Sequence, residues 1–103
     1  MAIVLKHIVL FKFTDTAPEA EITKVVAAFL ELKTKIPVVQ AIEWGTDISV
    51  ENKNQGFTHC FCLTFRDVAD RDAYLPHPAH QEFGARLQPI KEKVLVFDYL
   101  TEQ

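Results

Sequence analysis

The chain has 103 residues, of which 49% are hydrophobic and 24% charged, and this composition is that of a single globular domain over residues 1–103, not of a disordered segment. The formal net charge is −3, from 11 Lys and Arg against 14 Asp and Glu, and it disfavours a nucleic-acid partner. No apolar run approaches the roughly 18 residues that span a bilayer, so we expect no membrane partner.

The first predicted element is a strand over Ile3–Phe13, a stretch rich in the β-branched and aromatic residues that favour extended backbone. One face of this strand places His7 among apolar side chains. The opposite face is also largely apolar, so we expect both faces to be covered by other parts of the molecule.

A helix is predicted after this strand. Thr16 and Glu19 have the spacing of a capping box, with Pro18 inside the first turn, and the helix should run to about Lys35. Pro37 ends it, because a residue that precedes proline avoids helical backbone. Apolar residues at helical spacing form the predicted buried stripe, which comprises Ile22, Val25, Val26, Phe29, Leu30 and Ile36.

The middle of the chain predicts two strands joined by a polar loop. Val38–Ile48 is predicted as the second strand, and the turn-rich segment 49–56 as the loop. Phe57–Arg66 has the clearest alternation of large apolar residues with smaller or polar ones, so it is predicted as the third strand.

Cys60 and Cys62 lie two residues apart in this third strand. Their side chains share a face at a separation of about 6.5–7 Å, which is too long for a relaxed disulfide. A zinc site would need further ligands on that face, and His59 alternates to the opposite one. We therefore expect two small buried side chains in a reducing, cytoplasmic protein.

The remaining elements are two helices and a strand. Asp67 can cap a short helix that ends at Leu75, a second helix is predicted over Ala79–Ile90, and Val94–Leu100 is the last strand. The order β-α-β-β-α-β predicts an α+β, ferredoxin-like sheet with helices on one face. The other face keeps many large apolar side chains, so we predict a homodimer in which two sheets pack into a shared β-barrel.

Tyr74 and His80 are the candidate catalytic residues. If Pro78 is the first helical residue, His80 lies in the first turn, where the helix dipole disfavours a charged imidazole. A neutral imidazole can act as a general base near pH 7, and the Tyr74 phenol can donate a hydrogen bond to a carbonyl or an enolate. The spacing alone is also typical of two residues that only close the loop and the helix cap.

Three further polar residues interrupt apolar strands. His7 and His59 lie on strands that neighbour each other at the centre of a ferredoxin-like sheet, so they could approach each other, line a cavity under the helices or be satisfied core groups. Asp98 is embedded in the apolar last strand, where it could orient a histidine or face a solvated edge. No nucleotide-binding, serine-hydrolase or zinc-protease motif is present.

Motifs from about residue 6 to residue 99 resemble one known family. They are Lys6–Phe13, the W-G-x-D turn at Trp44–Asp47, Gly56–His59, Tyr74 with His77–His80, and Val96–Tyr99. In this order they are similar to the stress-responsive A/B barrel (Dabb) family. The resemblance implies a dimeric α+β barrel, in agreement with the apolar second face of the sheet.

Within the family, the chain is similar to a plant polyketide cyclase that closes a linear poly-β-ketone by intramolecular aldol condensation. The resemblance implies His80 as the general base and Tyr74 as the phenol that steers the reacting carbonyl, with no cofactor required. It implies a pocket for a small hydrophobic or β-keto ligand, lined by His7, His59, Phe29, Phe61 and Asp98. The alternative is a non-catalytic dimer that is stress-associated or binds a hydrophobic ligand.

Some members of the family hold a magnesium ion through main-chain carbonyls near the end of the first helix. The matching positions are Lys33, Ile36 and Val39. Carbonyls at a helix C-terminus lack partners within the helix, so they are available to a hard cation. The resemblance thus implies a structural ion rather than a catalytic one.

Overall fold

A four-stranded antiparallel sheet forms the centre of the computed structural model, which describes residues 2–103. Its strands are β1 (Ile3–Phe13), β2 (Ala41–Thr46), β3 (His59–Phe65) and β4 (Lys91–Glu102). The helices are α1 (Glu19–Lys35), α2 (Val68–Tyr74) and α3 (Pro78–Leu87), and a 3-10 turn follows at Gln88–Ile90. The strand order is β2-β3-β1-β4, which confirms the predicted ferredoxin-like fold with β1 and β3 at the centre.

Several predicted boundaries differ from the observed ones. The second strand is shorter than Val38–Ile48, because the amide of Val39 donates to the carbonyl of Ile36 at 3.1 Å and forms a turn before the strand. The last strand is longer than Val94–Leu100. It pairs with β1 along nearly its whole length, from Ile3 opposite Glu102 onward, and this pairing extends the strand at both ends.

The helix starts are capped in three different ways. The predicted capping box of α1 is wrong: Pro18 occupies the cap position and no side chain bonds the free amides there. Asp67 caps α2 as predicted, since its carboxylate accepts from the amide of Asp70 at 2.9 Å. In α3, Pro78 is the first residue and His77 is the cap, with its Nδ1 accepting from the amide of Ala79 at 3.0 Å. His80 therefore lies in the first helical turn.

The hydrophobic core lies between the sheet and the helices. On α1 the buried residues are Val25, Val26, Phe29 and Leu32, so the predicted stripe is largely confirmed, with Leu32 in place of the half-buried Leu30. Phe29 stacks on Phe61 with 4.4 Å between ring centroids, and Phe83 lies 4.6 Å from Phe29. This aromatic cluster fills the space beneath the helices.

The opposite, open face of the sheet is apolar and exposed. On β4 its large side chains are Leu95, Phe97 and Tyr99, and Phe97 is 61% exposed. The predicted cover on both faces of β1 is thus not provided within one chain. The expectation that both cysteines are buried is also wrong for one chain, because they face this side, with Cys60 exposed and Cys62 half-buried. Within residues 2–103, no helix is long and apolar enough to cross a membrane.

Candidate functional site

Tyr74 and His80 meet where α2 ends and α3 begins. Tyr74 is the last residue of α2 and is fully buried, and His80 is half-buried in the first turn of α3. The amide of His77 donates to the carbonyl of Tyr74 at 3.1 Å, which closes the connection between the helices. This tight turn brings the two rings to 4.5 Å between centroids. The structure therefore brings the predicted catalytic pair together.

The hydrogen bond of His80 determines which ring nitrogen is free. Its Nδ1 lies 2.8 Å from the carbonyl oxygen of Leu75. A carbonyl only accepts, so Nδ1 carries the proton and, in the neutral ring, Nε2 carries the lone pair. Burial lowers the pKa of His80 below its ordinary value of 6.5, against the raising effect of the Leu75 carbonyl. His80 is therefore neutral at pH 7, with Nε2 able to accept a proton.

The Tyr74 hydroxyl is a buried donor without an acceptor. Within residues 2–103, no polar group lies within hydrogen-bond distance of it. Burial raises the pKa of Tyr74, so the phenol stays protonated at physiological pH. An unsatisfied buried polar group destabilises a fold by roughly 1–3 kcal/mol. A ligand oxygen placed beside the hydroxyl would remove this penalty.

His7, Asp98 and Arg71 form a chain of hydrogen bonds beside this pair. His7 is 4% exposed and lies opposite Asp98 in the register of β1 and β4. Its Nδ1 is 2.6 Å from Asp98 Oδ1, and Arg71 Nη1 donates to Asp98 Oδ2 at 3.1 Å. The His7 ring stands edge-on to Tyr74, with 5.9 Å between centroids. Of the two alternatives for Asp98, the structure has the one in which it orients a histidine.

Arg71 was missed by the sequence reasoning, although the chain contained a signal for it. It lies three residues before Tyr74 in the same helix, and residues at this spacing share a helix face. Arg71 therefore shares a helix face with the candidate phenol of Tyr74. From this face its side chain reaches the carboxylate of Asp98.

His59 lies at the other end of the sheet. It pairs with Phe11, whereas His7 pairs with Leu63, so the two histidines are offset by four residues, about 13 Å along the strands. The predicted approach of His7 to His59 therefore does not occur. His59 stacks on Trp44 with 6.0 Å between ring centroids and lines an open pocket of about 390 Å³. Burial lowers the pKa of His59.

Phe29 and Phe61 were expected to line the ligand pocket together with the histidines. Both are buried in the aromatic cluster under the helices, where they stack on each other. Neither ring is among the residues that line the pocket of about 390 Å³, and their place in a ligand pocket stays a prediction.

The C-terminal end of α1 fits a cation bound by main-chain carbonyls. The helical partner of the Lys33 carbonyl would be residue 37, a proline without an N–H, so this oxygen has no partner in the helix. The Ile36 carbonyl accepts from Val39 and keeps a second lone pair. In residues 2–103 no cluster of three or more His, Cys, Asp or Glu side chains is placed to hold a metal. The magnesium ion at Lys33, Ile36 and Val39 stays a prediction.

Comparisons with known proteins agree with the fold. Residues 5–101 match the model of the stress responsive A/B barrel domain. Olivetolic acid cyclase from Cannabis sativa is 36% identical over 95 residues, covering 92% of this chain and 94% of that protein. Hydroxynitrile lyase from Passiflora edulis has a TM-score of 0.89 at 29% identity, covering 97% of this chain and 94% of that one. A dimeric protein of ferredoxin-like fold from Bacteroides fragilis has a TM-score of 0.75 at 31% identity, covering 95% and 96%.

Proposed function

The chain belongs to the stress-responsive A/B barrel (Dabb) family, and we propose that it is a cofactor-free enzyme acting on a β-keto compound. His80 is the general base, and Tyr74 donates a hydrogen bond to the reacting carbonyl. One observation carries the proposal: a neutral imidazole with a free Nε2 lies beside a buried phenol that has no partner of its own within residues 2–103. General acid–base catalysis at a carbonyl needs these two groups.

The proposed reaction is an intramolecular aldol condensation. His80 Nε2 removes a proton from a carbon flanked by carbonyls, and the Tyr74 hydroxyl stabilises the negative charge that develops on the enolate oxygen. The enolate carbon then forms a bond with a second carbonyl carbon of the same molecule. The resulting alkoxide takes the proton back from His80, and loss of water completes the condensation.

Two relatives bear on the reaction class. Olivetolic acid cyclase is named for a ring closure and hydroxynitrile lyase for the cleavage of a hydroxynitrile. Aldol ring closure and hydroxynitrile cleavage each make or break a carbon–carbon bond at an oxygen-bearing carbon, and each needs a proton transfer. The relatives therefore support acid–base chemistry at the proposed site.

The proposed assembly is a homodimer formed by two open sheet faces. Leu95, Phe97 and Tyr99 present a contiguous apolar surface of the kind that marks an interface. The 31% identical structure described as dimeric supports this arrangement. Sedimentation at micromolar concentration should give the dimer mass, and a monomer mass independent of concentration would contradict the proposal. Both cysteines are free thiols, which is compatible with the proposed cytoplasmic location.

The second candidate function is a non-catalytic dimer that binds a small hydrophobic ligand or acts in a stress response. The cluster of Phe29, Phe61 and Phe83 favours it, because these rings occupy the interior that a long substrate would need. In this case the phenol and the imidazole would hold a ligand oxygen without transferring a proton.

The test is turnover of a panel of linear β-keto compounds by the wild type, His80→Ala and Tyr74→Phe. The proposal expects cyclised product from the wild type and a loss of at least roughly 100-fold for His80→Ala. A loss below about tenfold would show that His80 is not the base. Binding of a compound by calorimetry, with no product by mass spectrometry, would support the second candidate instead.

A further inference from the structure

The last turn of α2 connects every polar group of the candidate site. The carbonyl of Arg71 accepts from the amide of Leu75 at 3.2 Å, and the carbonyl of Leu75 in turn accepts from Nδ1 of His80. Tyr74 lies between them in the same turn. The guanidinium of Arg71 reaches across to Asp98 on β4, which holds His7 on β1. One helical turn thus contacts both imidazoles, one through a backbone carbonyl and one through a carboxylate.

The two oxygens of Asp98 have separate partners. Oδ1 accepts from His7 and Oδ2 accepts from Arg71, so the plane of the carboxylate is fixed at both ends. With Arg71 removed, Oδ2 would have no protein donor among the contacts described for it, and the half-buried carboxylate could turn about its last torsion angle, which is soft. His7 is almost fully buried, and Asp98 is its only side-chain hydrogen-bond partner within residues 2–103.

Arg71 is itself held in place. Its Nε and Nη2 atoms both lie 3.0 Å from Oδ1 of Asp72, which leaves Nη1 for Asp98. Hydrogen bonds with Asp72 and Asp98 raise the pKa of Arg71, so the guanidinium stays charged. Because Asp72 bonds one edge of the planar guanidinium, the N–H groups on Nη1 point in a defined direction. A lysine ammonium on its flexible stem would not be oriented in this way.

We infer that Arg71 is a positioning residue, whose guanidinium orients the Asp98 carboxylate so that His7 is held in the tautomer with the proton on Nδ1. A carboxylate only accepts, so Nδ1 donates to it and the lone pair of the neutral ring is placed on Nε2. Both imidazoles around Tyr74 then carry their lone pairs on Nε2. The inference rests on the proposed function for its catalytic consequence, but the tautomer of His7 is measurable without any substrate.

The experiment is two-dimensional NMR of the histidine ring nitrogens, recorded at a pH where the nitrogen signals show a neutral ring. The wild type should show His7 as a single tautomer protonated on Nδ1. Arg71→Met should add a substantial population of the other tautomer. Arg71→Lys should give an intermediate population, because it keeps the positive charge but lacks the planar guanidinium. His7 signals in Arg71→Met that match those of the wild type would overturn the inference.

A matched control and a second variant keep the test sharp. Arg66→Met removes another arginine close to the start of α2, one that contacts Asp67 and Asp70 but not Asp98, so the His7 signals should match the wild type. A His7 change as large as that of Arg71→Met would mean that loss of any nearby charge is enough, and the inference would be wrong.

If Arg71→Met does not fold, Asp72→Asn loosens the arginine without removing it and should raise the population of the other His7 tautomer in the same way. An unchanged His7 tautomer population in Asp72→Asn would overturn the inference.

Turnover separates this inference from the proposed function. With an active β-keto substrate, Arg71→Met should lower kcat by roughly tenfold with KM nearly unchanged, because a His7 ring that is no longer held in one orientation would no longer support the Tyr74 phenol, against which it stands edge-on. A raised KM at constant kcat would instead make Arg71 a binding residue and contradict the positioning role. If no substrate is found, the proposed function fails while the NMR result still decides the role of Arg71.

Discussion

The helix-facing side of the sheet carries a histidine at each end, and the two ends differ in what surrounds them. At one end His7 is buried, bonded to Asp98 and close to Tyr74. At the other end His59 is half-buried, stacked on Trp44 and at the edge of a pocket that Cys60 and Cys62 of the open face also line. The sequence environments are alike, since both residues interrupt an apolar strand. The helices and the cross-strand partner create the difference, because α2 brings Arg71 and Tyr74 to the first end only.

The aromatic cluster separates these two ends, and Phe61→Ala should give the largest loss of stability. Phe61 is fully buried and contacts Phe29 and Trp44. Truncation of a buried phenylalanine lowers the free energy of unfolding by about 3–5 kcal/mol. Urea unfolding measures this change, with Ile48→Ala, at a site 91% exposed, as the control expected to stay within about 0.5 kcal/mol. Equal losses of unfolding free energy for the two variants would mean that the aromatic cluster is not tightly packed.

The end of the sheet that carries His7, called the polar end below, should lose more stability on removal of a carboxylate than an exposed ion pair does. Asp98→Ala leaves the buried His7 and the Arg71 guanidinium without their shared partner, and we expect the free energy of unfolding to fall by about 2–3 kcal/mol. Glu51→Ala is the control, since Glu51 pairs with Lys53 on the surface, where such pairs contribute about 0–1 kcal/mol. Similar losses of unfolding free energy for both variants would show that the bonds of Asp98 stabilise the fold no more than an exposed ion pair does.

Much of the fold was predictable, because periodicity reports local structure and burial together. The strand over Ile3–Phe13 alternates in the structure as it does in the sequence, and Asp67 caps its helix as expected. The errors arose where tertiary contacts decide. Thr16 has the right spacing for a capping box, but the chain enters α1 through Pro18 without a side-chain cap.

The candidate site was predictable only in part. Tyr74 and His80 are close in sequence, so their proximity follows from one tight turn. The link between His7 and Asp98 depends on strand register, and Arg71 joins them from a helix that contacts the sheet through tertiary packing. Register and helix placement are long-range properties that spacing does not contain. This is also why His59 was grouped with His7 although the register separates them by four residues.

Tyr74→Phe should stabilise the fold slightly while impairing the site. The mutation removes a buried hydroxyl that has no partner within residues 2–103, so the free energy of unfolding should stay level or rise by about 1 kcal/mol. Tyr99→Phe removes the hydroxyl of the other tyrosine, which lies on the open face of β4 at the proposed dimer interface, so it is a comparison only when the variant keeps the wild-type mass by sedimentation. A loss of more than about 1 kcal/mol for Tyr74→Phe alone would show that the hydroxyl has a partner in solution.

The smallest effect concerns protonation, and it tests whether the two ends differ electrostatically or only in their contacts. Burial lowers the pKa of both His80, at the polar end, and His59, at the open end. In the unfolded chain each would protonate at about 6.5, so below that pH the unfolded state binds more protons and stability falls as the pH decreases toward the lowered pKa values. Proton NMR should show both rings titrating below 6.5, and His80→Gln and His59→Gln should each flatten the dependence of unfolding free energy on pH in this window. Titration of His80 at or above 6.5, with His59 below it, would mean that the Leu75 carbonyl outweighs burial at the polar end, and a larger fraction of the His80 imidazole would then be charged at pH 7.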